Sequence, residues 1–88
     1  MTIAYEMNDD GTAQEVSVTR DTLHTDNVYC VVDDSSKSIF IWSGRNAGVR
    51  KRFVGASNAS KIRSEQGYNY RVKPVDEGEE TNDFINSL

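Results

Sequence analysis

The sequence has few of the residues that build disulfide-stapled, metal-bound or membrane-spanning domains. Its 88 residues include one cysteine (Cys30), one proline (Pro74) and one histidine (His24). A lone cysteine cannot form an internal disulfide, and His24 has no partner at the spacing of a zinc site or a Cys-His nucleophile pair. No apolar run approaches the roughly 20 residues that span a membrane, and none follows Met1 as in a secretion signal. We therefore expect a cytoplasmic protein that does not span a membrane.

The motifs of catalysis are also missing. The sequence has no glycine-rich phosphate loop, no Cys-x-x-Cys pair and no serine in a nucleophile elbow. Its paired acids, at positions 9–10, 33–34 and 76–77, fall in predicted turns, whereas a tuned acid-base pair needs one buried member. The sequence therefore predicts a binding domain with no catalytic residues, no metal and no cofactor.

Positive charge is concentrated in one third of the chain. Residues 45–73 contain eight Lys or Arg and one acid, whereas the rest contains two bases and thirteen acids, which together give the net charge of −4. This asymmetry suits an acidic protein or an anionic lipid surface. Nucleic acid is not expected as a partner, because no aromatic residues are interleaved with the bases and the whole chain is negative.

Periodicity predicts a single domain over residues 1–88 with the element order β-β-β-β-α-β-α. The predicted strands are 2–7, 13–19, 27–33, 38–43 and 71–75, and the predicted helices are about 46–67 and about 79–88. The first two strands flank a hairpin turn and are predicted as outer strands. Strand 27–33 is nearly all apolar, as in a central strand covered on both faces. Pro74 removes a donor from the ladder, so the last strand is expected to lie at an edge or to be irregular at that point. The fold class is therefore α+β, a sheet between one long and one short helix.

The long helix carries most of the basic residues, and Asn46 is its predicted N-cap. At about 100° per residue, one arc is apolar and is predicted to face the core. That arc comprises Val49, Phe53, Ala56, Ala59 and Ile62, with Gly55 at its edge. A second arc, predicted to face outward, comprises Arg50, Val54, Ser57 and Lys61. A solvated amphipathic helix would show the same pattern, so spacing alone leaves a binding role open.

Four segments in order resemble the gelsolin-like domain of the gelsolin and villin family. They are Asp-Asn-Val-Tyr-Cys-Val-Val-Asp at 26–33, Ile-Phe-Ile-Trp-Ser-Gly at 39–44, the small residues Gly55 and Ala59, and Val-Asp-Glu-Gly-Glu-Glu at 75–80 followed by Phe84. The resemblance covers about residues 23–88. It implies a five-stranded mixed sheet between the two helices, and a long helix that binds actin in the cleft between its subdomains 1 and 3. The implied contact residues are Arg50, Val54, Ser57, Asn58, Lys61 and Ser64.

The resemblance also bears on calcium. In the family an intradomain site uses a carbonyl and an acid before the third strand and a glutamate early in the helix; the matching positions are Asp26, Asn27 and Lys51. A site shared with actin uses an aspartate late in the helix, which matches Arg63. A cation at a ligand position opposes calcium by Coulomb repulsion. We expect calcium independence, with the Lys51 ammonium in place of the ion and bonding toward Asn27 and Asp26.

The resemblance thus predicts a cytoskeletal, actin-binding protein that sequesters monomers, or slows or caps filament growth. Severing is less expected, because it needs a second linked domain to hold the filament. Two alternatives stay open at this point. One is an adaptor with the gelsolin fold that binds a coat component or a small GTPase. The other is a phosphoinositide-responsive module whose phosphate contacts would be Arg50, Lys51, Arg52, Lys61 and Arg63.

Overall fold

A computed structural model describes residues 2–88, and it has the predicted order of elements. The strands are β1 (Thr2–Met7), β2 (Ala13–Val16), β3 (Val28–Asp33), β4 (Ser38–Ser43) and β5 (Arg71–Asp76), and the helices are α1 (Val49–Gln66) and α2 (Asn82–Ser87). The predicted α+β class is confirmed. Neither of these helices is long and apolar enough to cross a membrane.

The five strands form one mixed sheet in the order β2-β1-β3-β4-β5. The pairs β1/β2, β1/β3 and β3/β4 are antiparallel, and β4/β5 is parallel. The apolar strand β3 lies at the centre, as predicted, and Pro74 lies in the edge strand β5. The prediction that both strands of the first hairpin are outer strands is wrong for β1, because β1 pairs with β2 on one side and β3 on the other.

Each face of the sheet is covered by one helix, so the central strands are buried on both sides. Residues of β3 alternate between the two clusters, with Cys30 facing α1 and Val31 facing α2. On the α1 side the buried residues are Met7, Val28, Cys30, Val32, Ile39, Val54, Ala59, Ile62 and Tyr70. On the α2 side they are Ala4, Tyr29, Val31, Phe40, Trp42, Val75 and Phe84. This two-layer burial explains why β3 and β4 read as continuous apolar runs.

The turn between β4 and α1 is packed tightly against the connector that precedes β3. Gly44 donates its N–H to the Asn27 carbonyl at 2.9 Å, and a Cβ on Gly44 would lie only 2.1 Å from the Thr25 carbonyl oxygen. The prediction that Asn46 caps the helix is wrong, because its N–H donates to the Thr25 carbonyl and the N-cap is Gly48. Helix α1 therefore begins at Val49 and ends at Gln66.

Helix α1 is rotated by about one residue from the phase predicted by its apolar periodicity. Val54 and Gly55 face the sheet, whereas Val49, Phe53 and Ala56 are exposed. The physical reason is close approach: a Cβ on Gly55 would lie 2.7 Å from Cγ1 of Val28, so the helix contacts β3 through its glycine. The predicted core arc is therefore correct at Ala59, at Ile62 and at its edge residue Gly55, and wrong at the other three positions.

The outward face of the long helix as a candidate protein-binding surface

One side of α1 is free of the sheet and presents two apolar residues among polar and basic ones. We define the outer face of α1 as a set of six exposed residues: Val49, Arg50, Phe53, Ser57, Lys61 and Ser64. At about 100° per residue these six fall within an arc of roughly 120°. Of the buried residues of α1, Gly55, Ala59 and Ile62 lie on the opposite side of the helix, and Val54 lies at the margin of the arc. The fold therefore presents the outer face to solvent along the length of α1.

Phe53 is the most conspicuous residue of the outer face, because its side chain is 64% exposed. Large apolar side chains are normally buried, and an exposed aromatic at the centre of a surface is typical of a binding contact. Val49, one helical turn earlier, is 84% exposed. Sequence reasoning missed Phe53 because it placed the side chain in the core. The signal that could have corrected the phase is Gly55, the residue that fits closest to the sheet.

Most of the contact residues implied by the resemblance lie where the sequence placed them. Arg50, Ser57, Lys61 and Ser64 are exposed on the outer face, and Asn58 is half-buried at its margin. The prediction that Val54 lies on this exposed surface is wrong: Val54 is 4% exposed and belongs to the core beneath α1.

A groove runs between the outer face and the tip of the β1/β2 hairpin. Arg50 connects its two walls, since Nε donates to the Asp9 carbonyl at 2.8 Å. The groove has a volume of about 210 Å³ and is lined by Gly11 of the hairpin and by Arg50, Phe53, Val54, Ser57 and Lys61 of α1. Val54 therefore contributes to the floor of the groove although little of it is exposed.

Lys51 occupies the position at which the resemblance implied a calcium ligand. Its Nζ donates to Oδ1 of Asn27 at 2.8 Å, and Nδ2 of Asn27 donates to Oε1 of Glu6 at 2.9 Å. The expected bond to Asn27 is thus present. The expected bond to Asp26 is not found within residues 2–88; the Asp26 carboxylate lies 3.8 Å from Nδ1 of His24 instead. A positive charge therefore stands among the oxygen-bearing side chains that precede β3.

The other basic residues of α1 are largely engaged in bonds within the chain. Arg63 donates from Nε to the Tyr70 carbonyl at 3.0 Å and packs over the ring of Tyr68. Arg52 donates to the carbonyls of Ala47 and Gly44. Of the five bases considered for phosphate contacts, four therefore make hydrogen bonds inside the protein, and only Lys61 makes none within residues 2–88.

The acids that follow β5 stabilise the neighbouring loops. Oε1 of Glu77 accepts from Oγ1 of Thr25 at 2.5 Å and from the Arg45 N–H at 2.7 Å, and these two bonds lower the pKa of Glu77. Glu80 accepts from Nε1 of Trp42 at 2.9 Å, which lowers the pKa of Glu80. These carboxylates stabilise the folded structure.

No group of three or more His, Cys, Asp or Glu in residues 2–88 is placed to hold a metal ion.

The fold and the outer face define a small α+β domain with a helix available for protein binding. A chain in the crystal structure of the Thorarchaeota ProGel/rabbit actin complex superposes with a TM-score of 0.93 and is 30% identical, covering 100% of this chain and 99% of that one. The Thorarchaeota 2DGel3/rabbit actin complex contains a similar fold, with a TM-score of 0.86 and 24% identity over 99% of this chain and 45% of that one. No protein-family model and no curated protein matches the sequence. The chain belongs to the gelsolin-like family, as the resemblance predicted.

Proposed function

We propose that this protein binds actin through the outer face of α1, without catalysis and in the cytoplasm. The observation that carries the proposal is the exposure of Phe53 on a helix whose other side is packed on the sheet. The likeness to ProGel, which is solved in complex with rabbit actin, supports the choice of partner. In this proposal α1 enters the cleft between actin subdomains 1 and 3, as the family resemblance implies.

The chemistry of the outer face fits such a contact. Phe53 and Val49 supply apolar area that a partner can bury, and aromatic residues at the centre of an interface contribute most of its binding energy. Arg50 and Lys61 place positive charge beside them, while Ser57, Asn58 and Ser64 supply small or polar margins. An acidic partner with an apolar cleft complements this arrangement.

Calcium independence is the second part of the proposal, and Lys51 supports it. Calcium takes six to eight oxygen ligands that together carry negative charge. The Lys51 ammonium already bonds to Oδ1 of Asn27, one of the oxygens that calcium would need. Binding the ion would require breaking that bond and accepting a like charge close by. The bond thus supports actin binding that does not change when calcium is removed.

The third part concerns the effect on filaments. One gelsolin-like domain offers one outer face, so each bound domain occupies the cleft of one actin. From the domain of residues 1–88 acting alone we expect monomer sequestration, slower elongation or weak capping, because severing requires a second linked site to raise the effective concentration at the filament. The signature is a loss of filament proportional to the amount of protein added.

The test is polymerisation of rabbit actin, followed by sedimentation and fluorescence with increasing amounts of the protein in parallel calcium and chelator buffers. We expect the same dose-dependent loss of filament in both buffers. Phe53→Asp should abolish the effect, whereas Asn86→Asp, which adds the same charge at an exposed position of α2, should retain it. Equal activity of the Phe53→Asp protein would overturn the outer face as the binding site, and an effect in calcium alone would overturn the role assigned to Lys51.

A further inference from the structure

The groove between α1 and the β1/β2 hairpin extends beyond the part that borders the outer face. The part near Phe53 has a volume of about 210 Å³. A second part of about 390 Å³ continues along the hairpin, lined on that side by Thr12 and Ala13 and on the helix side by Ile62 and Glu65. Gly11, Asn58 and Lys61 line both parts. The two parts together form a channel along one flank of α1, with the helix as one wall and the β1/β2 hairpin as the other.

The part near Phe53 has the shape and chemistry of a receptor for one bulky apolar side chain. Val54 forms a rigid apolar floor because it is packed in the core, and the exposed ring of Phe53 forms one side. The small side chain of Ser57 leaves the space above the floor open. A cavity of about 150 Å³ is enough to hold a benzene ring, so the groove can hold a leucine-sized or aromatic side chain.

The rim of the groove is positive in the part near Phe53, where Arg50 and Lys61 are the charged residues of the lining. Lys61 is exposed and makes no hydrogen bond or ion pair within residues 2–88, so its ammonium is available to a partner. The guanidinium of Arg50 is fixed at the opposite end by its bond to the Asp9 carbonyl. A carboxylate that lies beside the inserted side chain would therefore meet an unpaired ammonium, which favours an acidic partner segment.

We infer that the hairpin is a second wall of the actin-binding site, and that the groove receives one bulky apolar side chain of actin whose neighbouring carboxylate pairs with Lys61. This inference rests on the proposed function and adds to it, because binding through the outer face alone would leave the hairpin free. Binding that includes the hairpin and binding through the outer face alone cover different residues in the complex. They also predict different effects of filling the groove.

Filling the groove gives a test in which the two cases predict opposite signs. Ser57→Trp places an indole in the space above Val54, so an inserted actin side chain would be displaced and the affinity for rabbit actin should fall at least about tenfold. A flat contact with the outer face would gain apolar area, and the affinity should then stay equal or rise. Because Ser57 is exposed, the variant should fold, which circular dichroism would verify. Ser35→Trp, in the exposed turn between β3 and β4, is the matched control and should bind as the parent does.

Thiol protection tests the hairpin wall directly. Cys30 is buried and the pKa of its thiol is raised to about 12 by burial, so an introduced cysteine is the reactive one. Ala13→Cys places a thiol in the groove, Gln14→Cys places one on the opposite face of the same strand, and Ser57→Cys places one on the outer face. Intact-mass spectrometry of each variant gives its alkylation rate with and without rabbit actin.

The inference predicts that saturating actin slows alkylation of the Ala13→Cys and Ser57→Cys variants at least about tenfold and leaves the Gln14→Cys variant unchanged. Protection of the Ser57→Cys variant alone would overturn the inference and leave the proposed function standing. Protection of none of the three would overturn both. If the Ala13→Cys thiol does not react in the free protein, the sign of the Ser57→Trp effect decides the inference.

Discussion

The ammonium nitrogen of Lys51, in the first turn of α1, lies 2.8 Å from Oδ1 of Asn27, the residue that precedes β3. The amide of Asn27 is held from its other side by Glu6 of β1 at 2.9 Å. One helix and two neighbouring strands of the sheet are therefore connected through a single asparagine side chain. The contact gives Lys51 a structural role that does not depend on any bound ion.

Replacing Lys51 with methionine should lower the free energy of unfolding by about 1 kcal/mol. The aliphatic part of the side chain is retained, but Oδ1 of Asn27 loses its donor, and the half-exposed position reduces the cost of that loss. Lys61→Met is the control, with an expected change within about 0.5 kcal/mol. Urea denaturation measures both, and equal stability of the two variants would contradict the structural role of Lys51.

Phe53 and Val54 are adjacent in sequence, and we expect them to separate binding from stability. Val54→Ala should lower the free energy of unfolding by about 2 kcal/mol, because two buried methyl groups are lost. Phe53→Ala should change it by less than about 0.5 kcal/mol but weaken actin binding at least about tenfold. Urea denaturation and a binding titration with rabbit actin measure the two effects. A larger loss of stability for the Phe53 variant would show that α1 sits in the phase first predicted from the sequence.

Gly44→Ala should be among the most destabilising single substitutions in this protein. The added Cβ would lie 2.1 Å from the Thr25 carbonyl oxygen and 2.9 Å from that of Asn27. Both neighbours are backbone atoms, so relief requires moving the whole turn, at a cost of about 3 kcal/mol. Gly48→Ala is the matched control, since a Cβ there meets nothing within 4 Å. Thermal unfolding compares the two, and a Gly44→Ala protein as stable as the control would contradict the tight turn.

The bond from Trp42 to Glu80 should make stability fall in acid. This bond holds the pKa of Glu80 below the ordinary value of 4.5. Its contribution to the free energy of unfolding is therefore complete above pH 4.5 and is lost as the pH falls through the lower pKa of the folded state. Glu80→Gln should flatten the decline in unfolding temperature between about pH 5 and about pH 3. Glu79→Gln, an exposed neighbour, should leave the parent's profile unchanged. Identical profiles for all three proteins would contradict the assignment.

The sequence predicted the fold well where one physical cause dominates. The apolar run of β3 indicated a strand covered on both faces. The missing N–H of Pro74 indicated a strand at an edge or irregular at that point, and β5 is an edge strand. The start of α2 was placed about three residues early, because acids suit a first turn while the actual cap is Thr81, which accepts from the Phe84 N–H. The limits of helices depend on such single side-chain bonds, which periodicity does not report.

The binding surface was predicted less well because it depends on the rotation of α1. With Phe53 and Val54 adjacent, shifting the apolar arc by one residue exchanges the buried side chain for the exposed one. The large apolar side chain of Phe53 made it the expected core residue. However, α1 approaches β3 closely at Gly55, so there is little space for a large side chain between the helix and the sheet. The bonds of Arg63 to the carbonyls of Tyr68 and Tyr70 could not be predicted either, because they depend on the conformation of the turn after α1.

The single proline of the chain also determines how this sheet meets other sheets. The N–H groups of Arg71 and Glu77 donate toward β4 and its flanks, so the alternate positions 72, 74 and 76 direct theirs away from the sheet. Pro74 removes the middle one of these three donors, and an incoming strand would find a gap at the centre of its ladder. The opposite edge, β2, is only four residues long. Both ends of the sheet thus discourage growth by strand addition, which protects against amyloid-like self-assembly.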